Sequence, residues 1–250
     1  HTSANGGRRP HVVFDGHQCV KTSRLVDVPA GEGDEVYVDV IPSTMYDDVS
    51  TLLSRGVRVF RLKRTDIIAA YRDRFSLPKN DENDAKILSM VEGDCFVDVS
   101  AKYVELMKLL EEYNKQLNLL KLLKQFKTSA EAIKPIRRNK NRLARQIISM
   151  ATNTISIYRP LCETLGLSDD CLYGKVALAD LLLHVDFTTG LRKIICYTGL
   201  YKPNNRKYNH RLKQAAHSLA LSHYRKNKVK ARHIRKLLKT IKQTIAGGPA

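Results

Sequence analysis

Residues 36–64, "VYVDVIPSTMYDDVSTLLSRGVRVFRLKR", decide the fold. "VYVDVI" is rich in β-branched and aromatic residues, as a half-buried strand requires. "STMYDDVSTLLSRG" opens on Ser/Thr, carries apolar residues at helical spacing and closes on Gly56, the usual start and stop of a helix. "VRVFRL" is again strand-like. Strand, helix and strand in so short a span predict an α/β layer.

Upstream, "HVVFD" is a short apolar run closed by the turn signal "DGHQ", and "CVKTSRLVDV" continues as a second run before the loop "PAGEGDE". These predict early strands paired as a meander with the one carrying Asp39. Downstream, "RTDIIAAYRDRF" and "KNDENDAKIL" predict short helices. From Ser100 the texture changes to Leu-rich amphipathic stretches, "AKYVELMKLLEEYNKQLNLLKLLKQF" and roughly 130–158, which predict an antiparallel helical hairpin joined at "KTS". The remainder, 160–250, reads as helical and basic. Its end, "KNKVKARHIRKLLKTIKQTIAGGPA", is an amphipathic cationic helix with a frayed tail. The opening "HTSANGGRRP" has no apolar signal core and reads as a flexible tail over 1–10.

Charge is strongly polarised. The chain has 250 residues and a formal net charge of +18. Residues 1–100 hold 13 Lys/Arg against 16 Asp/Glu, whereas the rest holds 30 against 9. Past Asp186 there are 16 basic and no acidic residues. A solubilising surface intersperses both signs, so the rear predicts a polyanionic partner, DNA above all. Arg137, Arg138, Arg206, Lys207, Arg211, Lys213, Lys228 and Lys230 are the candidate backbone contacts, with Lys79 nearer the front. Five cysteines without CxxC spacing fit free thiols in a reducing, cytoplasmic setting, at the nucleoid if DNA is bound. No apolar run reaches membrane-spanning length, so no membrane partner is expected.

The carboxylates suggest chemistry. Asp15 closes the first strand, Asp39 lies near the end of the third, and Asp81 and Asp84 are three apart and share one helical face. The bland alternative is that such aspartates cap helices and turns. Together they offer the hard oxygen ligands that Mg²⁺ or Mn²⁺ selects in phosphoryl-transfer sites.

"VVFDGHQCVK", the 36–64 stretch and "KNDENDAKIL" resemble the catalytic domain of DEDD transposases, the insertion-sequence family 110 recombinases and the pilin-gene invertases. Lys79, Asp81, Asp84 and Ala85 fill the family's K-x-D-x-x-D-A pattern. "YTGLYKP" and "YNHRLKQAAHSLAL" resemble its C-terminal transposase segment. The resemblance implies an RNase H/RuvC-like mixed sheet over 11–99, a coiled-coil-like helical hairpin over 100–159, and a basic all-α DNA-binding domain over 160–250. It further implies catalytic, metal-holding roles for Asp15, Asp39, Asp81 and Asp84. Transposition or site-specific inversion by a homo-oligomer would follow, with a guide RNA as a candidate partner. Two departures stand out. Asp39 occupies a position where the family has Glu, with Glu35 the nearest alternative. No serine lies between Gly199 and Leu212, where the family carries its nucleophile, and Tyr208 is the hydroxyl left in that loop. A structure-specific endonuclease for branched (Holliday-junction-type) DNA and a non-catalytic nucleic-acid-binding protein are the rival readings.

Overall fold

The computed structural model describes residues 10–200 and 209–247. The chain divides into two compact units, His1–Glu105 and Leu106–Ala250. The second unit holds both the helical hairpin, from residue 106 on, and the basic C-terminal segment, which the sequence had suggested as separate domains.

The first unit is a mixed α/β assembly. Strands β1 (His11–Phe14) and β2 (Cys19–Thr22) form an antiparallel ribbon with Phe14 opposite Cys19. Its turn closes through the Asp15 amide to the Gln18 carbonyl at 3.2 Å, with Gly16 at φ +99°, a region open to glycine. Strand β3 (Glu35–Val38) runs parallel to β4 (Arg58–Leu62), and β5 (Phe96–Asp98) pairs antiparallel on the other side of β4. The expected meander is therefore corrected: β1 and β2 pair, but β3 belongs to a different sheet. The chain after β2 is drawn onto the first helix, α1 (Tyr46–Ser54), where the Asp48 carboxylate binds the Arg24 guanidinium at 2.5 Å and the Leu25 amide at 3.1 Å.

Helix α1 is the crossover that parallel strands require. Its Val49 and Leu52 are fully buried, as is Val59 of β4, and each such side chain contributes about 1.5–3 kcal/mol. Gly56 ends the helix at φ +81°. A second core joins Leu62 and Phe96 of the sheet to Ile68 of α2 (Asp66–Phe75) and Ile87 of α3 (Asp81–Leu88). Helix α3 also packs against β1 and β2, so it links the ribbon to the body of the unit.

The second unit is helical. Helix α4 (Ala101–Gln125) begins just before the boundary and is followed after four residues by α5 (Ala130–Thr154), two long helices where the sequence predicts them. Then come α6 (Tyr158–Thr164), α7 (Leu172–His184), α8 (Leu191–Tyr197), α9 (His210–Tyr224) and α10 (Ala231–Gly247). Helix α7 is buried on nearly every side, from Val176 to Leu183, and packs closely on α9. The closeness rests on Gly174: a Cβ built there falls onto the side chain of Ser222 in α9. Ser222 is thus a packing residue. None of the helices among the described residues is long and apolar enough to cross a membrane. Gly174→Ala is expected to destabilise the protein by about 1–3 kcal/mol in denaturant unfolding. Ser222→Gly in the same chain should recover most of that loss, because the two changes meet at one contact.

Candidate functional site

The helix carrying Asp81 and Asp84 is not capped by either. Asn80 is the N-cap, accepting the Asn83 amide at 2.7 Å, while the Asn83 side chain donates to the Pro78 carbonyl at 2.8 Å. Asp81 and Asp84 both stand in the first turn, where negative charge is favoured by the helix dipole. They are therefore free of the capping duty. Asp84 is half-buried, and its Oδ1 is shielded from solvent yet receives no hydrogen bond. Arg72 Nε of α2 stands 3.4 Å from it, at ion-pair distance.

Asp39 follows directly on β3, at the carboxyl end of the parallel pair, where α/β sheets commonly bind ligands. Burial pushes its carboxyl above the ordinary range, and the negative charges of Asp84 and Asp81 push it further. Its Oδ1 accepts the Val40 amide at 2.7 Å, which offsets part of the rise. The structure thus brings Asp39 within electrostatic reach of both α3 carboxylates.

Asp15 is differently employed. Its Oδ1 accepts the His17 and Gln18 amides, both at 2.8 Å, and these bonds hold its carboxyl below the usual range. It is the organiser of the hairpin turn. Glu35, the alternative to Asp39, is held by Arg58 at 2.7 Å and by the Tyr37 hydroxyl at 2.6 Å at the opposite end of β3. Lys79 is exposed just before the Asn80 cap.

The donor set suits a hard cation in kind: carboxylate oxygens, one of them buried and undonated, with mutual repulsion that a cation would relieve. Among the described residues, however, no three His, Cys, Asp or Glu side chains converge as a ready metal-holding group. Asp39 feels the charges of Asp84 and Asp81 without the three converging, and Asp15 remains in its turn.

In the second unit the predicted nucleic-acid contacts separate. Arg137 and Arg138 on α5 are exposed, as are Lys228 and Lys230 between α9 and α10. Arg206 and Lys207, with Tyr208, lie outside the described residues, and Lys213 is half-buried. Arg211 is a correction. Its guanidinium forks onto Asp180 of α7, with Nε at 3.0 Å and an Nη at 2.8 Å, and a further nitrogen lies 3.5 Å from Glu111. Asp180 is 4% exposed and also has His184 Nδ1 at 3.1 Å. Burial alone would raise its carboxyl, but the His184 and Arg211 partners outweigh that and hold it below the ordinary range. Arg211 serves the interior because a carboxylate 31 residues earlier, invisible to local pattern, needs it.

The sequence reading left out the outer stripe of α10. Ile234, Leu237, Leu238 and Ile241 are buried, which turns Arg232, Arg235, Lys236 and Lys239 outward. Their three- and four-residue spacing was the available signal. Desolvation, and then the charges of Arg232, Lys226, Lys230 and Lys236, hold His233 below its ordinary value, a measure of how densely cations crowd there.

No family model and no curated protein matches the chain.

Two outcomes are expected. Asp39 ionises at a cost, so its contribution to stability is present in acid and is lost as pH rises through its raised value. Asp39→Asn should therefore melt higher than wild type at neutral pH, with the difference vanishing in acid. Asp180 has the opposite sign: its contribution holds above the ordinary carboxylate range and is lost as pH falls through its lowered value. Asp180→Ala, leaving Arg211 unanswered, should cost about 3–5 kcal/mol in urea unfolding at neutral pH.

Proposed function

We propose that the protein is a DNA-processing enzyme of the DEDD transposase/recombinase type, with an RNase H/RuvC-like first unit and a basic helical second unit that holds nucleic acid. The observation that carries this reading is the grouping of Asp39 with Asp81 and Asp84 while Asn80 does the capping. A strand-end carboxylate placed against two helix carboxylates destabilises the fold unless a cation or a proton answers it. Asp39, Asp81 and Asp84 would hold Mg²⁺ or Mn²⁺, which would supply charge neutralisation at a phosphodiester and acidify a bound water. Asp15 would join them through Oδ2, since both turn amides occupy Oδ1.

The residues of the chain have separable tasks. Lys79, exposed beside the α3 cap, would contact a phosphate of the cleaved strand. Lys228, Lys230 and the outer cations of α10 would bind the backbone by counterion release, so affinity should fall steeply with salt. DNA is the substrate class, and a guide RNA and self-association are further expectations of the same reading.

One sequence feature favours hydrolysis over strand exchange. With no serine between Gly199 and Leu212, the chain lacks a serine nucleophile in that loop. Structure-specific cleavage of branched DNA, which needs the carboxylates and water alone, is the second reading.

Labelled four-way-junction and linear duplex DNA, incubated with Mg²⁺ or Mn²⁺, test both. Wild type should cut in a metal-dependent manner, and Asp84→Asn should lose at least about a hundredfold in rate while binding DNA equally well. Cleavage that survives in Asp84→Asn would defeat the assignment. Equal binding without cleavage by either protein, with and without added cellular RNA, would leave a nucleic-acid-binding protein.

A further inference from the structure

Lys140 is the most anomalous charge in the second unit. It lies in the middle of α5, is 7% exposed, and makes no hydrogen bond or ion pair with a carboxylate among the described residues. Lysines are rarely buried without a partner, because the ammonium loses its hydration. Its one partner is the face of Tyr173 of α7, with Nζ 3.6 Å from the ring centre. The Tyr173 hydroxyl is turned to Asn141 Oδ1 at 2.7 Å, which fixes the ring in place. A cation–π contact offsets part of the desolvation and leaves the ammonium's protons to be used elsewhere.

Lys140 and Tyr173 line a cavity of about 290 Å³ between the facing parts of α4, α5 and α7. The other polar groups on its wall are Lys121, Lys124 and Arg137, and leucines of α4 complete it. No carboxylate lines it. Lys121 is steadied by Gln214 Oε1 at 2.7 Å, a neutral acceptor that leaves its charge uncompensated. Four cations ring one small cavity, Lys121, Lys124 and Arg137 exposed and Lys140 buried, and concentrate a positive charge that an anion would answer. A guanidinium and several ammonium groups are the donors that phosphate oxygens accept best.

We infer that the cavity walled by Lys121, Lys124, Arg137 and Lys140 over the Tyr173 ring is a binding site for a phosphate-class anion. The occupant is either a backbone phosphate of nucleic acid or a free polyphosphate anion such as a nucleotide tail. The site is independent of the carboxylate reading: anion binding and DNA cleavage are separate measurements on separate variants.

The experiment is calorimetric titration of the full chain with inorganic pyrophosphate at moderate salt, beside Lys140→Met, Lys124→Gln and, as a surface control, Lys102→Gln at an exposed position of α4 away from the cavity. Saturable one-site binding is expected, weakened by about tenfold or more in Lys140→Met, which corresponds to loss of one charge-assisted contact. Lys124→Gln should weaken it less, and Lys102→Gln not at all. Without ligand, Lys140→Met should melt at or above wild type, because it removes a buried charge that the fold does not pair. A single-stranded oligodeoxynucleotide that displaces pyrophosphate assigns the site to backbone phosphate, and one that does not assigns it to a free anion. Equal affinity in wild type and Lys140→Met, or an equal loss in Lys102→Gln, overturns the inference. So does a melting temperature that falls in Lys140→Met with binding unchanged, which would make Lys140 a structural residue.

Discussion

The parallel pairing of β3 with β4 is the constraint on which the first unit depends. Parallel neighbours cannot be joined by a tight turn, so the pairing requires α1 between them and aligns the two carboxyl ends on one side. Asp39 stands at that end because it is the first residue beyond β3. The same pairing commits β4 to a central place, with β5 on its far edge and the α2–α3 layer over Leu62 and Phe96. Helix α3 can then offer Asp81 and Asp84 toward Asp39 only because Ile87 is fixed in that layer. A hydrophobic anchor on one face of a short helix thus determines where two carboxylates on another face stand.

The second unit manages the opposite charge. Acidic residues are few in its half of the chain, and Asp180 is the buried one among the described residues. Asp180 binds Arg211 across the α7–α9 contact and His184 on its own helix, and Gly174 lets α7 and α9 approach closely. Carboxylates spent on holding helices together cannot neutralise the surface, and the stripe of Arg232, Lys236 and Lys239 is left open to an outside anion. The internal architecture and the external charge are therefore two results of one scarcity.

Much of this was legible in the sequence, and what was not has a common cause. The strand–helix–strand of 36–64 and the hairpin helices follow from local periodicity, with Gly56 and Ser129 marking a stop and a start. The placement of Asp81 and Asp84 on one face, and the turn at "DGHQ", follow equally from spacing. Pairing partners did not follow. Nothing local says that β3 should leave β2, since the deciding bonds run from residues 24 and 25 to Asp48. Nothing local says that Arg211 faces inward or that Lys140 is buried, because each depends on a side chain of another helix. Asp15 was read both as a turn residue and as a metal ligand, and the bonds its Oδ1 accepts are those of the turn. Long-range partnership is the quantity that composition and spacing do not encode.

Helix α3 touches α2 through Asp84 and Arg72 and touches the β1–β2 ribbon along its length, with the Cys19 thiol 3.8 Å from the Glu82 carbonyl. The ribbon shares no strand pairing with the sheet that bears Asp39. Asp15 and Asp39 are consequently registered to each other largely by way of this helix and of the Arg24–Asp48 tie, as two gauge marks are by the bar between them. Any shift of that bar, as by a changed residue at position 19, carries Asp81 and Asp84 together and changes their distance from Asp39.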